Sequence, residues 1–218
     1  MIPVPAFEIV LLTITGVLPI MNPFSTAPLF LSLTTGMDDG ERNRQALKAC
    51  AYAFTILATF FMVGSYIIDF FGISLPGIRV AGGLIIGYIG FRMLFPEAEP
   101  ETEVVDATKY QAVDVSFTPL ALPMMAGPGT ISVLLAGSAE AQAAAPDSFL
   151  WVALFVMLGL SVCVAVAYLT FRTAALVLAF IGQSGMDGVT RLFGFLLVCI
   201  AMQFVLVGVD DFYGITAS

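Results

Sequence analysis

Six apolar runs, each long enough to cross the hydrocarbon core of a bilayer, constrain this chain more than any other feature. A transmembrane helix needs roughly 20 mostly apolar residues. Only 11% of the 218 residues are charged, whereas soluble domains carry about 25%. The sequence therefore predicts an all-α membrane protein with six transmembrane helices. The runs are 7–33, 46–71, 78–95, 115–137, 149–171 and 189–209. A shorter apolar stretch, 173–181, either extends the fifth helix or lies in the membrane interface.

The first and fourth runs differ from the others because proline and glycine interrupt them near their middle. Proline has no backbone N–H and its ring clashes with the preceding turn, so a continuous helix is not expected there. The sequence predicts that the first and fourth helices are broken near mid-membrane. The interrupting residues are Pro19, Pro23 and Pro28 in the first run and Pro119, Pro123, Gly127, Pro128 and Gly129 in the fourth.

Two sequence echoes indicate an internal repeat. LPIMNP at 18–23 resembles LPMMAGP at 122–128, and RVAGGL at 79–84 resembles RLFGFL at 191–196. Each half would hold three spans, an odd number, so the second copy must insert upside down relative to the first. We therefore expect two inverted three-helix repeats. The predicted organisation is a first repeat at 1–95, an acidic cytoplasmic linker at 96–114 and a second repeat at 115–218.

The distribution of basic residues predicts the orientation. If all six runs cross, one side carries seven of the eight Lys and Arg residues and the other side carries only Arg79. The basic side of a membrane protein is normally cytoplasmic, so both termini should lie outside the plasma membrane. Re-entrant hairpins in place of the broken spans would divide the same residues 5 to 3, a weaker bias. The seven are Arg42, Arg44, Lys48, Arg92, Lys109, Arg172 and Arg191.

The two breaks predict the functional site. Lipid cannot satisfy the peptide groups that a break frees, so irregular backbone survives where it lines a cavity or meets a ligand. Inverted repeats with helices broken at mid-depth are a recurring transporter design. The start of a half-helix suits a carboxylate and its end suits an ammonium group, so the expected substrate is a small zwitterion. The candidate substrate-binding residues are Asn22, Pro23, Ser25, Thr26, Ala126, Gly127, Gly129, Thr130 and Gln203.

Simpler interpretations stand beside this one. The breaks could be kinks whose freed groups are satisfied by Ser and Thr side chains. Gln203 in the last run could join helices rather than contact a ligand. Gly83, Gly87 and Gly90 share one helix face, which favours close helix packing, although such a face could also border a small substrate cavity. A channel is also compatible with the sequence.

Absent residue types exclude several chemistries. The chain has no histidine, and no Asp, Glu or Lys lies at the centre of a run, so no buried proton relay is visible. A coupling cation, proton or sodium, would have to bind to carbonyls, hydroxyls and Asn22, unless there is no coupling. Cys50, Cys163 and Cys199 show no metal-binding spacing. Neither a serine nor an aspartyl protease site is present, so we expect no enzyme, no cofactor and no nucleic-acid partner.

Four motifs follow one another along the chain: NPFSTAPLFLSLT at 22–34, FGISLP at 71–76 leading into RVAGG at 79–83, AGPGTI at 126–131, and VTRLFG at 189–194 with IAMQF at 200–204. Together they resemble the MarC family of integral membrane proteins over nearly the whole chain. The resemblance implies a plasma-membrane protein of six helices from the SnatA-like group, which transports small neutral amino acids such as glycine and alanine. Ser25 departs from the family pattern, which more often has glycine there. A less specific permease or channel for small solutes and an efflux protein for toxic compounds are the alternatives.

Overall fold

The computed structural model describes residues 5–96, 114–144 and 146–214. Within these ranges the chain is helical and contains no strand, which confirms the predicted all-α class. Most of the predicted linker, residues 97–113, lies outside the described residues. The elements are α1 (Ala6–Met21), α2 (Pro23–Leu33), α3 (Asp39–Phe71), α4 (Leu75–Leu94), an irregular segment (Ser116–Met125), α5 (Pro128–Ala144), a short 3-10 turn (Pro146–Ser148), α6 (Phe149–Arg172) and α7 (Ala174–Tyr213).

Four continuous helical stretches are long and apolar enough to cross a membrane. Two further candidates are bent pairs: α1 with α2 meets at 44°, and the irregular segment with α5 meets at 60°. If each bent pair is one span, the described residues provide up to six spans, and the breaks fall in the first and fourth runs as predicted. The four continuous stretches are Asp39–Phe71, Leu75–Leu94, Pro146–Arg172 and Ser184–Tyr213.

The short apolar stretch 173–181 belongs to the first part of α7. Helix α6 ends at Arg172, and Gly182, with a non-helical φ of 71°, separates the stretch from the rest of α7. The expectation that it extends the fifth helix is therefore wrong. Its Phe180 side chain is 92% exposed.

Local sequence explains where α3 begins and ends. The Asp38 carboxylate accepts the N–H of Glu41 at 2.7 Å, and acidic residues in a first turn favour the positive end of the helix dipole. At the other end Gly72 takes the left-handed conformation, with φ 62°, and its N–H donates to the Asp69 carbonyl. Glycine adopts this conformation without the penalty that a Cβ imposes.

A polar contact fixes the start of the irregular segment against α3. Lys48 Nζ lies 2.6 Å from Asp114 Oδ2, and the Ser116 hydroxyl also donates to Asp114. These hydrogen bonds, Lys48 first, lower the pKa of Asp114 to about 2. The contacts therefore favour the charged form of Asp114, and they are lost as the pH falls toward its pKa.

Helices α4 and α7 pack antiparallel through glycines. A Cβ built on Gly83 would lie 2.8 Å from the Ala201 carbonyl oxygen, and one on Gly90 would lie 2.8 Å from the Gly194 carbonyl oxygen. A Cβ on Gly87 would lie 3.4 Å from Ala201 Cβ, an ordinary contact. The expectation that this glycine face serves close helix packing is confirmed, since only residues without side chains let two backbones approach this closely.

Two other antiparallel pairings hold the bundle together. Helices α3 and α6 meet at Asn43 and Tyr168, whose side chains hydrogen bond at 2.7 Å, and again where the Phe61 and Phe149 rings stack. Helix α1 runs antiparallel to α5, because Gly16 lies beside Val133 while Ile20 lies beside Gly129. Each half of the chain thus packs mainly on the other half.

Apolar side chains lie both inside the bundle and on its outer surface. The largest buried cluster joins α1, α2, α3, the irregular segment, α5, α6 and the first part of α7, and in it Phe30 stacks on Phe171 with ring centroids 4.9 Å apart. Outward-facing Phe70 and Leu150 are 84% and 75% exposed. Large apolar surface on the outside is what a bilayer solvates.

We predict that Gly90→Ala destabilises the protein by about 1–3 kcal/mol, because the new methyl group overpacks against the backbone of α7. Thermal unfolding in detergent measures the effect. Gly87→Ala is the matched control on the same face: its methyl group has room, and losing a helix-interior glycine stabilises by about 0.5–1 kcal/mol. Equal melting temperatures for the two variants would contradict the glycine contact.

Candidate functional site

Asn22 forms the first break. It is buried, at 4% exposure, and is the one non-glycine residue of the described ranges with a positive φ, at 38°. Asparagine tolerates this left-handed conformation better than most residues. Because Pro23 has no N–H, the carbonyl of Pro19 loses the donor that a continuous helix would give it.

The Asn22 side chain is itself hydrogen bonded. Its Oδ1 accepts the Ser25 N–H at 3.4 Å, and its Nδ2 donates to Ser25 Oγ at 2.7 Å. Nδ2 also approaches Met93 Sδ at 3.6 Å. The Ser25 hydroxyl in turn donates to Thr190 Oγ1 at 2.9 Å. We call Asn22, Ser25 and Thr190 the polar chain; it ties the first break to α4 and α7.

Sequence reasoning missed Thr190 and Met93. Thr190 belongs to the VTRLFG motif, so the motif could have suggested it. The partnership with Ser25 depends on α7 folding back across the first break. A second contact in the same place, the stacking of Phe24 on Phe193 with centroids 5.6 Å apart, supports this close approach of α2 and α7.

The second break has a different geometry. Thr118 and Leu122 have extended backbone angles inside the irregular segment, because each precedes a proline and the α region is disfavoured there. A Cβ on Gly127 would lie 2.5 Å from the Pro123 carbonyl oxygen, so only glycine fits. Residues Ala126 and Gly127 are buried at the junction.

Helix α5 starts from this break with free N–H groups. Its first backbone bond runs from the Ile131 N–H to the Gly127 carbonyl at 3.0 Å. The N–H groups of Gly129 and Thr130 therefore have no partner within the helix, as at any helix start. Both residues are buried, so these groups do not face bulk solvent.

The two breaks lie at a similar level in the bundle. Helices α1 and α5 have 16 and 17 residues, whereas α2 and the irregular segment have 11 and 10. The two longer pieces run antiparallel, and a Cβ on Gly129 would lie 3.2 Å from Ile20 Cγ2. The carbonyl end of α1 thus meets the N–H end of α5.

Hydroxyl groups satisfy some of the freed carbonyls. Thr26 Oγ1 donates to the Asn22 carbonyl at 3.3 Å, and Thr130 Oγ1 donates to the Met125 carbonyl at 3.2 Å. These bonds are what the kink interpretation expects. These hydroxyl groups do not bond to the first N–H groups of α5 or to the Pro19 carbonyl.

Gln203 is not part of this arrangement. Its side chain lies on the exposed face of α7, so the expectation of a buried glutamine is wrong. Residue spacing predicts its depth, but helix rotation, which packing on α4 decides, points it outward.

A cavity of about 300 Å³ lies beside the breaks, between α1, α3, α5 and α6. Its lining is mainly apolar, with Thr13 and Glu140 among its few polar residues. Val17 and Val133 line it about one helical turn from Ile20 and Gly129. Among the residues that the structure describes, the cavity lining includes none of the nine candidate substrate-binding residues.

An ionic cluster stands at one end of this cavity. Arg79, on α4, pairs with Glu140 of α5 and with Asp211 of α7, and its Nε lies 2.9 Å from Glu140 Oε1. The Arg79 side chain is only 16% exposed. We call this end of the molecule the Arg79 side; α1 begins there and α5 ends there. In the described ranges no three His, Cys, Asp or Glu side chains come close enough to hold a metal ion.

Comparisons with known proteins agree over almost the whole chain. The family model described as MarC family integral membrane protein matches residues 7–213. The chain is 37% identical over 213 residues to the UPF0056 inner membrane protein MarC of Citrobacter koseri, covering 93% of this chain and 95% of the relative. It is 36% identical over 210 residues to the protein of that name from Escherichia coli O139:H28, with the same coverage of both chains. No solved structure matches significantly.

We predict that Asn22→Ala destabilises the protein more than Asn22→Gly. Both variants lose the side-chain bonds to Ser25, but only alanine must hold a Cβ in the left-handed conformation, at a cost of about 1–2 kcal/mol. Melting temperatures in detergent rank the three proteins. An alanine variant as stable as the glycine variant would show that the backbone relaxes at this position.

We also predict that Arg79→Met lowers stability by about 1 kcal/mol, the scale of partly exposed ion pairs. It leaves two carboxylates near each other without their cation. Adding Glu140→Gln in the same chain should restore part of the loss, which a double-mutant cycle of thermal unfolding measures. Arg92→Met, at an exposed position of the same helix, is the control. Additive effects of the two substitutions would contradict the pairing.

Proposed function

The chain belongs to the MarC family of integral membrane proteins, and we propose that it transports small neutral amino acids of the glycine and alanine type by alternating access. In this proposal the substrate binds inside the bundle, where the two breaks meet. The observation that carries the proposal is the meeting of opposite helix ends, α1 with its carbonyls and α5 with its N–H groups.

These helix ends match the two charges of a zwitterion. The N–H groups of Gly129 and Thr130 would bind the carboxylate, helped by the partial positive charge at the start of α5. The carbonyl of Pro19 would accept from the ammonium group. In this proposal Asn22, Pro23, Ser25 and Thr26 shape the first half of the site, and Ala126 and Gly127 shape the second.

The proposal includes an inverted repeat. Its support is that corresponding helices of the two halves pack antiparallel: α3 with α6, and α4 with α7. An arrangement of this kind lets one half rock against the other around a fixed site. The proposed location is the inner membrane, which the names of the relatives give for those proteins. In this proposal both termini lie on the outer face of that membrane.

The proposed mechanism needs neither catalysis nor a resident cofactor. A coupling cation, sodium or a proton, would have to use the same carbonyl and hydroxyl oxygens, because the candidate site contains no carboxylate. The Arg79 side of the cavity is then the proposed outer entrance. A 300 Å³ cavity is ample for a small amino acid with its water.

The apolar lining of the cavity favours a second candidate, an efflux protein for apolar toxic compounds. Such a compound would bind among Val17, Phe61 and Val156 without needing the helix ends. The two candidates differ in which residues matter: the zwitterion depends on the breaks, and an apolar compound depends on the cavity walls.

Flux into liposomes tests the proposal. Reconstituted protein should take up labelled glycine and alanine in a saturable way that unlabelled alanine inhibits. Non-saturating leak would favour a channel, and absence of amino acid flux with active extrusion of an apolar dye would favour efflux.

Gly129→Leu should abolish the saturable flux, because its side chain collides with three isoleucines around the start of α5. Gly188→Leu is the matched control, since a Cβ there meets nothing within 4 Å. Both proteins should insert and purify alike. Unchanged flux in Gly129→Leu and in an Asn22→Leu variant would remove the site assignment.

A further inference from the structure

Three isoleucines converge on the start of α5. A Cβ built on Gly129 would lie 3.2 Å from Ile20 Cγ2, 3.3 Å from Ile89 Cδ1 and 3.4 Å from Ile86 Cγ1. Ile20 comes from α1, and the other two come from one face of α4. Branched apolar side chains therefore lie beside the first turn of this helix.

This apolar layer separates two different environments. On the Arg79 side of it lies the 300 Å³ cavity, which Val17 and Val133 line one turn away. On its other side lies the polar chain of Asn22, Ser25 and Thr190. In the proposed transport route, a solute moves from the cavity to the polar chain past Gly129.

Helix α4 provides one continuous wall along this route. Ile86, Ile89 and Met93 follow each other at helical spacing on the same face, the first two beside Gly129 and the third beside Asn22. Ile86 is fully buried and packs with Leu197 of α7. Because glycine contacts lock α4 to α7, this wall cannot easily retreat.

The opposite wall, Ile20 of α1, lies beside the first break. Ile20 lies two residues before Asn22, where α1 ends in a left-handed residue rather than continuing as a helix. A change of backbone angle at this junction would swing Ile20 away from Gly129 while leaving α4 in place.

We propose that Ile20, Ile86 and Ile89 form a hydrophobic constriction around Gly129 that closes the cavity from the polar chain and limits the size of the solute side chain that passes. The inference rests on the proposed transport function and assigns its specificity-determining residues. Apolar constrictions of this kind gate by excluding water. The fixed isoleucines of α4 set the size limit, and Ile20 opens and closes the passage.

The size limit is tested by measuring the flux of amino acids whose side chains differ in size. In liposomes, Ile89→Ala and the milder Ile89→Val should raise the ratio of valine flux to glycine flux. For the Ile89→Ala variant the rise should be about tenfold or more, the scale of one methylene group in an apolar pocket. Leu84→Ala, which removes similar volume from a face of α4 that is 64% exposed, should leave the ratio unchanged. Gly129→Ala should act in the opposite direction and lower alanine flux more than glycine flux. Equal ratios in all variants would overturn the size limit.

Cysteine accessibility tests the closure without requiring transport. In a chain whose native cysteines are replaced by alanine, Val17→Cys should react with a small membrane-impermeant thiol reagent applied at the Arg79 side, and Ser25→Cys should not. Adding Ile86→Ala and Ile89→Ala should make Ser25→Cys reactive, whereas adding Leu84→Ala should not.

The two measurements separate the two proposals. If the protein transports glycine but Ser25→Cys stays unreactive in every background, the constriction proposal is wrong and the transport proposal is retained. If the isoleucine variants make Ser25→Cys reactive but no protein shows amino acid flux, the constriction proposal is supported and the transport proposal is wrong. Ser25→Cys reactive in the otherwise unaltered background would overturn the closure directly.

Discussion

The structure depends on how peptide groups are satisfied where helices stop inside an apolar bundle. Lipid offers no hydrogen bonds, so every freed N–H or carbonyl must find a partner within the protein or in a ligand. At the first break the Asn22 side chain accepts the Ser25 N–H, and the Thr26 hydroxyl donates to the Asn22 carbonyl. At the second the chain uses Thr130 and leaves the start of α5 uncapped and buried. This difference between the two breaks is the reason that the proposed site for the carboxylate of the solute is the second one.

The glycine contacts between α4 and α7 give these breaks a rigid background. Where Gly90 meets Gly194 the two backbones are in contact, so neither helix can slide without losing close packing. The face of α4 next to this seam then carries Ile86, Ile89 and Met93 toward the breaks. Helix packing and the shape of the candidate site are therefore one structural feature: the same helix is anchored on one face and lines the route on another.

The coarse fold was predictable from sequence because its signals are local. Apolar runs of sufficient length gave the helices, and proline with glycine gave the position of both breaks to within a residue or two. The glycine face of α4 was correctly interpreted as a packing surface. The stretch 173–181 was harder, since its assignment depended on the backbone angle at Gly182, which composition does not specify. The prediction that Gln203 is buried was wrong, because counting residues gives only a depth along the helix. The direction of the side chain depends on which face of α7 packs on α4.

The amino-acid sequence by itself determined that this chain is an all-helical membrane protein of the MarC family and that its first and fourth runs are interrupted, because chain length in lipid and the missing N–H of proline act within a few residues. Only the tertiary structure decided that the interruptions meet, that Thr190 completes the first one, and that three isoleucines surround Gly129. Those contacts join residues from opposite halves of the chain, and their geometry is set by antiparallel helix packing that no local pattern encodes.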